Sequence, residues 1–461
     1  MSNIKVGFLP LYLKLYDDTC AYMRPRVDAF NEEVQKRLES EGLELVTAPV
    51  CRVKEEFEAA AKMFTDVCAV ITLHLAYSPS LESIDALAGI EAPLIVLDTT
   101  PTERFDFTTD TGEIMFNHGI HGVQDMCNML KRRGKPFFIE AGHMDGSDVV
   151  QRAAGLCKAA HAAQVMRSGK VGIVGTPFTG MGDFLVSPEN LKATIGAEVV
   201  PFDMSEVWTR KEAVSDAEID TEMADDLARY SKTSYDEEMH RKTARMDLMI
   251  RKWMEENDLD AYTLSFADVT RENGFDTVPF IEACKAMDRG VGFAGEGDAL
   301  TAMLCGALLQ AYPETSFAEM FCPDWAGGSV FLSHMGEMNE RTVRGRMELG
   351  IKDYSFSDVD PPMAVSGCFM PGKAVLANLA PMDGGKYALI LSEVSVDDVP
   401  EEDDNMRGSI HGWIRPKTDV ASFLKAYSMA GGTHHLVMVY GGEMTALQAF
   451  GEMMGFDVQC I

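Results

Sequence analysis

The sequence predicts an α/β protein: two doubly wound parallel-sheet domains, Rossmann-like or flavodoxin-like, followed by a mostly β C-terminal domain. Up to about Thr315, short apolar runs alternate with amphipathic segments, and this rhythm favours parallel strands joined by crossover helices. From Ser316 onward the pattern becomes strand-rich and is punctuated by glycine and proline. The chain of 461 residues is long enough for about three domains.

The first domain, residues 1–168, is predicted from strands and helices that follow one another in order. Apolar runs predict strands at Ile4–Leu9, Leu43–Thr47, Cys68–Leu73, Leu94–Asp98 and Phe137–Glu140. Amphipathic segments predict helices at Tyr22–Ser40, Glu55–Phe64 and Val149–Arg167. Because helices separate the strands, we expect one parallel sheet.

The second and third domains follow from the same kind of pattern. The second, residues 169–315, has predicted strands at Val171–Gly175, Ala197–Phe202 and Ala261–Phe266, and a charged helix at Asp236–Glu256. The third, residues 316–461, has predicted strands at Ser329–Leu332, Lys373–Leu379, Ala388–Ser392 and His434–Tyr440. We therefore expect the C-terminal domain to be mostly β.

Charge and composition exclude several classes of partner. The 41 basic and 72 acidic side chains give a net charge of −31, which repels nucleic-acid phosphates and anionic lipid. No basic-then-apolar signal pattern begins the chain, and no apolar stretch approaches the roughly 20 residues that span a bilayer. Ten cysteines without CxxC pairs fit reduced thiols. We expect a cytoplasmic protein with neither nucleic-acid nor membrane partners.

Two glycine-rich segments look like nucleotide-binding loops. Gly290–Gly295 matches GxGxxG, but the preceding Ile281–Arg289 has the pattern of a helix, whereas a dinucleotide fingerprint follows a strand. Gly175–Gly180 does follow a predicted strand, yet Met181 stands where a P-loop needs lysine. We interpret this second segment as a strand-to-helix loop at the carboxyl edge of a sheet.

That edge is where open α/β sheets bind ligands, so Thr179 or Asp183 is a candidate sugar contact.

Four residue positions carry a candidate metal site. They are Glu296, Glu319, His334 and the pair His434-His435. Two carboxylates and two imidazoles can hold one divalent ion and leave positions for substrate oxygens. Because adjacent residues on a strand point to opposite faces, at most one of the paired histidines should face the site.

Ordinary structural roles are the alternative for each of these residues. Glu296 and Asp298 would then begin a helix, where carboxylates cap free amides. His334 would be a core histidine with its hydrogen bonds satisfied, and His434-His435 would begin a strand.

Four motifs in order resemble the L-arabinose and L-fucose isomerase superfamily, closer to the arabinose branch. They are Gly292–Asp298, Thr315–Phe317, Ser333–Met335 and Gly431–His435. Upstream, Asn117–Gly122 is similar to a segment through which one arabinose isomerase subunit reaches its neighbour's substrate, although His118 replaces a glutamine there. The N-terminal Gly7–Tyr12 lacks the family's sugar-contacting stretch, which leaves the sugar open.

The resemblance implies a metal-dependent aldose–ketose isomerase that works through an enediol(ate). Glu296, Glu319, His334 and His435 would bind the metal, and the two glutamates would also move the proton between C2 and C1. We assign Glu319 to C2 and Glu296 to the other transfer. A mixed octahedral sphere of this kind suits Mn²⁺ and tolerates Co²⁺ or Mg²⁺.

The resemblance also implies substrate contacts and an assembly. His118 and His121 would contact distal sugar hydroxyls from an adjacent subunit, which requires a homo-oligomer, a trimer or hexamer, with the site at a subunit interface. His434 would contact the substrate within the same site. The alternative for His118 and His121 is a surface position at a helix N-terminus.

An arginine-containing segment could recognise the far end of the sugar. Arg407, His411, Trp413 and Arg415 follow the acidic run Asp397–Asp404. An arginine there would bind an anionic substituent through a bidentate contact. Pairing with the acidic run is the alternative. The resemblance implies a pentose or a deoxyhexose as the substrate, and an arginine contact would fit an anionic, for example sulfonated, hexose.

Two other function classes remain open. A non-catalytic sugar-binding or sensor protein of two α/β lobes would normally need an export signal or a basic nucleic-acid reader. A metal-dependent epimerase or aldolase would use the same enediolate chemistry on a related sugar.

Overall fold

The computed structural model describes residues 4–461, which divide into two compact units that separate between His161 and Ala162. The predicted fold class is confirmed: two parallel sheets precede a mostly β region. Among the described residues, no helix combines the length and the apolar character needed to cross a membrane.

The first unit contains a five-stranded parallel sheet. Its strands are β1 (Ile4–Leu11), β2 (Leu43–Thr47), β3 (Ala69–His74), β4 (Leu94–Asp98) and β5 (Phe137–Ala141). Their order, β2-β1-β3-β4-β5, is that of flavodoxin-like folds. The helices are α1 (Lys14–Thr19), α2 (Arg24–Ser40), α3 (Lys54–Ala61), α4 (Ser80–Gly89), α5 (Ile114–Asn117), α6 (Ile120–Arg132) and α7 (Val149–Ser168), within which the division between units falls.

The second unit begins with a four-stranded parallel sheet of order β10-β9-β6-β7. Its strands are β6 (Lys170–Val174), β7 (Glu198–Pro201), β9 (Ala261–Leu264) and β10 (Gly292–Gly295), and a short β8 (Ser231–Lys232) joins the C-terminal sheet. The helices are α8 (Pro188–Thr194), α9 (Val207–Glu212), α10 (Asp216–Arg229), α11 (Glu237–Glu256), α12 (Phe280–Arg289) and α13 (Ala299–Ala311).

The C-terminal region closes into a barrel. Its elements are β11 (Thr315–Asp324), β12 (Ser329–His334), β13 (Glu348–Ile351), β14 (Met363–Cys368), β15 (Gly372–Met382), β16 (Lys386–Val396), β17 (Ile410–Pro416), β18 (His435–Tyr440) and β19 (Asp457–Cys460), with helices α14 (Val420–Met429) and α15 (Met444–Met454). Because β16 pairs with both β15 and β17, the strands β16-β15-β18-β11-β12-β17 form a closed ring. Closure removes the exposed strand edges of these six strands.

The GxGxxG segment is not a dinucleotide loop. Helix α12 precedes it and ends at Arg289, and the C-cap residue Gly290 has a left-handed φ of 92°. Gly292–Gly295 then forms β10 itself. At Gly292 a Cβ atom would lie 2.1 Å from the Gly306 amide nitrogen, so the glycine serves close packing of α13 on this strand.

Candidate metal centre

Four strands bring the candidate ligands together. Glu296 directly follows β10, Glu319 lies in β11, His334 ends β12 and His435 begins β18. In the antiparallel barrel register Glu319 stands opposite Ser333 on one side and opposite His435 on the other. Residues that are far apart in sequence therefore meet where β10 approaches the barrel.

The donor atoms of these residues form one connected cluster. The Oε2 atom of Glu296 lies 3.4 Å from Nε2 of His434 and 3.7 Å from Nε2 of His435. Nε2 of His334 lies 3.9 Å from Oε2 of Glu319. Each of two trios, Glu296-His434-His435 and Glu319-His334-His435, has ligand atoms within 4.8 Å of one another, and His435 belongs to both.

The imidazole of His435 presents an unpaired nitrogen to this cluster. Its Nδ1 donates to Oδ2 of Asp298 at 3.0 Å. Its Nε2 is buried and has no hydrogen-bond partner among the described residues. A buried polar atom without a partner costs free energy. A divalent cation that accepts the Nε2 lone pair would remove this cost, so the residues present fit a metal ion.

Two further carboxylates hold the other imidazoles. Glu337 accepts from Nδ1 of His334 at 2.7 Å and from the Gly336 amide at 2.7 Å. Asp183 accepts from Nδ1 of His434 at 2.6 Å and from that residue's own amide at 3.0 Å. Metal-binding histidines typically donate their second ring nitrogen to a carboxylate in this way.

Sequence reasoning missed these orienting roles. The sequence predicts Asp183 as a sugar contact and Asp298 as a helix cap, and it predicts no role for Glu337. The available signal was local: Glu337 stands three residues after His334.

The expectation that at most one of the paired histidines faces the site is wrong. Strand β18 begins at His435, so His434 lies in the bend before it and strand alternation does not apply to the pair. Both rings reach Glu296, and their centroids are 4.1 Å apart. The ring of Phe184 stacks on that of His435 with a centroid separation of 5.4 Å.

The backbone at Glu296 is held in a left-handed conformation. Its φ is 63°, which is unusual for a residue with a side chain. The Phe178 amide donates to its carbonyl oxygen at 2.9 Å. At the following Gly297, whose φ is 84°, a Cβ atom would lie 2.5 Å from Cα of Pro177. The loop after β6 therefore fixes the backbone that carries this carboxylate, and such local strain is concentrated at functional sites.

The two glutamates have opposite electrostatic environments. Burial raises the pKa of Glu319, and the nearby imidazoles only partly offset it. Burial also raises the pKa of Glu296, but the hydrogen bond from His434 and the other nearby imidazoles outweigh it and lower the pKa overall.

The pKa values of two imidazoles are raised. Burial lowers the pKa of His434, but hydrogen bonds to Glu296 and Asp183 outweigh it and raise the value to about 9. Burial likewise lowers the pKa of His334, and the charge of Glu337 reverses the shift. A cation at this cluster would displace the Nε2 proton of His334, because an imidazole that binds a metal must be neutral.

A cavity of about 90 Å³ adjoins the cluster. Glu296, His334 and Glu337 supply its charged lining. The rest of the wall is mostly aromatic or aliphatic and comprises Leu264, Phe266, Phe280, Gly295, Met335, Tyr354 and Phe356. The hydroxyl of Tyr354 is buried and has no hydrogen-bond partner among residues 4–461, so it is free to bond a ligand hydroxyl.

The arginine-containing segment pairs with the acidic run. Arg407 lies 3.6 Å from Glu401, and Arg415 donates to Asp397 at 2.6 Å. These contacts match the alternative interpretation, in which the arginines pair with the acidic run. Thr179 is exposed in the loop after β6. Sugar binding by Arg407 and Thr179 stays a prediction.

In the first unit, His118 directly follows α5 and His121 lies in the first turn of α6. Nε2 of His118 is 2.9 Å from the Tyr16 hydroxyl, and the rings of His118 and His121 are 5.8 Å apart. The glycines of this motif have a packing role, because a Cβ atom at Gly122 would lie 2.2 Å from Cδ2 of His74.

Two family models match most of the second unit. The L-arabinose isomerase central domain matches residues 189–311, and the L-arabinose isomerase C-terminal domain matches residues 314–457. The chain belongs to the L-arabinose isomerase branch of the L-arabinose/L-fucose isomerase superfamily. The predicted membership is thus confirmed, and the chain is a member of an aldose–ketose isomerase family.

Relatives in this family match along most of the chain. An L-arabinose isomerase of Bacillus subtilis (strain 168) is 24% identical over 408 residues, which cover 86% of this chain and 81% of the relative. One of Nocardioides sp. is 26% identical over 408 residues, which cover 86% and 80%. One of Shouchella clausii is 24% identical over 472 residues, which cover 99% and 93%.

Among solved structures, an ABC transporter periplasmic solute binding protein from Actinobacillus succinogenes 130z with bound D-allose matches at 12% identity, over 67% of this chain and 91% of that chain. Its TM-score of 0.17 supports no argument about this chain.

Proposed function

We propose that this chain is a metal-dependent aldose–ketose isomerase that acts through an enediol(ate). The observation that carries the proposal is the convergence of Glu296, Glu319, His334 and His435, with a buried Nε2 of His435 that lacks a partner among the described residues. The family supports the same activity. The four residues would hold the ion, and His434 would face the substrate beside them.

The donor set favours a particular group of metals. Two carboxylate oxygens and two imidazole nitrogens form a mixed set that suits Mn²⁺ and tolerates Co²⁺ or Mg²⁺. When bound, such an ion polarises the sugar carbonyl and stabilises the negative charge that develops on the neighbouring oxygens.

The two glutamates would move the proton. Glu319 would take the proton from C2, and its raised pKa makes it a stronger base than an ordinary carboxylate. Glu296, whose pKa is lowered, would serve the transfer at C1. Because the two carboxylates share their neighbours, they titrate as a coupled set.

Orientation of these groups would come from their partners. Asp298 and Glu337 hold the rings of His435 and His334 with Nδ1 protonated, which leaves each Nε2 free to bind an ion. Asp183 positions His434 to donate from Nε2 toward a sugar hydroxyl. The aromatic cavity wall would exclude water from the enediol(ate).

The substrate would be a pentose, a deoxyhexose or an anionic hexose. His118 and His121 would contact distal hydroxyls from an adjacent subunit of a homo-oligomer, a trimer or hexamer. Thr179 and Arg407 are further candidate contacts, and Arg407 would have to leave Glu401 to bind an anionic group.

A panel of aldoses and ketoses, with deoxy and anionic sugars included, tests the proposal. The metal-free protein is supplied with Mn²⁺ in D₂O and each sugar is followed by proton NMR. We expect one sugar to move its carbonyl between C1 and C2 and to incorporate deuterium. A sugar-binding protein would change nothing, an aldolase would release fragments, and an epimerase would invert a carbon without moving the carbonyl. Each of these three outcomes would contradict the proposal.

A further inference from the structure

A second set of metal-ligand side chains lies where β14 and β17 run side by side. Cys368 in β14 stands opposite His411 in β17, and Asp404 lies in the loop that leads to β17. Their sulfur, nitrogen and oxygen atoms all lie within 4.8 Å of one another. None of the three belongs to the isomerase cluster.

The barrel wall separates the two sets. His411 pairs with Ser333 in β12, whereas His334 pairs with Ile410. Because neighbouring strand residues point to opposite faces, the side chains of His411 and His334 lie on opposite sides of the wall.

Each ring nitrogen of His411 lies within hydrogen-bond distance of an oxygen atom. Its Nδ1 lies 3.0 Å from the Ser409 carbonyl oxygen, which can only accept, so Nδ1 must carry a proton. Its Nε2 lies 2.9 Å from Oδ2 of Asp404, which is also an acceptor when ionised. The side chains of His411 and Asp404 are 1% and 4% exposed. A proton, carried by the ring or by the carboxyl group, or a metal cation bound by both atoms must therefore join these two buried atoms.

Cationic side chains nearby are already paired. Arg344 lies 3.3 Å from Asp398, Arg346 donates to backbone carbonyls at the end of α10, and Arg407 lies 3.6 Å from Glu401. Among the described residues, none of the three is hydrogen-bonded to the Asp404 carboxylate. Besides His411, the Asp404 carboxylate accepts a hydrogen bond from the Met406 amide at 2.9 Å, and no cationic lysine or arginine among the described residues bonds it.

Chemistry and space favour a cation of one kind. Thiolate, imidazole and carboxylate together are the donor types of Zn²⁺, which takes four ligands in a tetrahedron. The Cys368 thiol is buried and free of disulfide bonding. A cavity of about 50 Å³ adjoins the three side chains, which leaves room for a water as the fourth ligand.

We propose that Cys368, Asp404 and His411 bind a Zn²⁺ ion that fastens the acidic segment Asp397–Asp404 to the barrel. Binding would release the thiol proton of Cys368 to solvent and leave Nε2 of His411 unprotonated. The ion would therefore be structural, and it would be separate from the ion of the isomerase cluster.

Cobalt substitution tests the site, because Co²⁺ bound to a thiolate gives a charge-transfer band in the near ultraviolet that oxygen and nitrogen ligands do not give. The whole chain, reduced and metal-free, is titrated with Co²⁺. Co²⁺ that enters the isomerase cluster has only oxygen and nitrogen ligands there and gives no such band. We expect the band to saturate at one equivalent of thiolate-bound Co²⁺ per chain and to disappear when excess Zn²⁺ is added. Absence of the band would overturn the proposal.

Variants identify the cysteine. Cys368→Ser should abolish the band, whereas Cys322→Ser and Cys460→Ser, which alter exposed free cysteines, should retain it. Asp404→Asn changes a loop residue, so it provides a second test of the site if Cys368→Ser does not fold. It should weaken Co²⁺ binding about tenfold or more. A band that persists in a folded Cys368→Ser, or undiminished affinity in Asp404→Asn, would overturn the site.

Discussion

The carboxylate of Asp298 accepts hydrogen bonds both from the start of helix α13 and from the candidate metal ligand His435. Its Oδ1 accepts from the Thr301 amide at 2.9 Å and caps α13, while its Oδ2 accepts from Nδ1 of His435 at 3.0 Å. One buried carboxylate thus fixes the backbone after Glu296 and the tautomer of the imidazole beside it. The two roles can be separated by substitution.

Asp298→Asn should weaken metal binding and leave the helix cap in place. Asparagine keeps an oxygen for the Thr301 amide, but its NH₂ group cannot accept from Nδ1 of His435, so the ring proton would move to Nε2. We expect Mn²⁺ affinity to fall about 10- to 100-fold, with an unfolding free energy within about 1 kcal/mol of wild type.

Metal titration and urea unfolding measure the two effects of Asp298→Asn. Asp419→Asn, at the cap of α14, is the matched control and should leave affinity unchanged. Equal Mn²⁺ affinity in Asp298→Asn and wild type would show that Asp298 is only a helix cap.

The backbone conformation of Glu296 should lower the free energy of unfolding of the protein. Its left-handed φ of 63° disfavours any residue with a Cβ atom by about 1 kcal/mol relative to glycine. Glu296→Gly and Glu296→Ala both remove the carboxylate, so only the backbone term differs between them. We expect the metal-free glycine variant to be about 1 kcal/mol more stable in urea unfolding. A more stable alanine variant would contradict this account of the backbone.

Glu319→Gln should lose the base and keep much of the metal site, because an amide oxygen can still bind a cation. Removing a general base typically lowers kcat by about 10²- to 10⁴-fold. The rate of deuterium incorporation at C2 measures the effect, with Mn²⁺ affinity determined in parallel. Glu314→Gln, at an exposed position, is the control. Full turnover by Glu319→Gln would show that another group is the base.

His74 should make the first unit sensitive to acid. Both ring nitrogens are buried without hydrogen-bond partners among residues 4–461, and burial lowers the pKa from 6.5 to about 3. Below pH 6.5 the unfolded state therefore binds more protons than the folded state. The free energy of unfolding should fall with decreasing pH until about pH 3, by at most about 1.4 kcal/mol per pH unit.

Hydrogen exchange of the β3 amides, corrected for its intrinsic pH dependence, measures this contribution. The stability difference between wild type and the non-titrating His74→Gln should change between pH 6.5 and 4. A pH-independent difference between wild type and His74→Gln would rule out titration of His74.

Local patterns predicted the elements of the fold well. The helix expected at Asp236–Glu256 occupies Glu237–Glu256, because Asp236 is its cap and accepts from two amides of the first turn. The helix before the GxGxxG segment is likewise present and removes the dinucleotide interpretation. Periodicity and capping are local properties, so a single sequence carries them.

The site was less predictable because its geometry depends on distant contacts. His434 and His435 both face Glu296 because β18 begins at His435 and not at His434. Hydrophobic periodicity does not fix the first residue of a strand that closely. The orienting role of Asp183 depends on a contact across 251 positions of sequence. The pairing of Cys368 with His411 depends on barrel register.

Mn²⁺ binding to single-histidine variants tests the central claim most directly. Electron paramagnetic resonance counts bound Mn²⁺ in wild type, His334→Gln, His435→Gln and the control His143→Gln. We predict one ion per chain in wild type and control, and affinity reduced at least about 10- to 100-fold in each of the other two. Equal binding by all four proteins would contradict a metal centre built on His334 and His435.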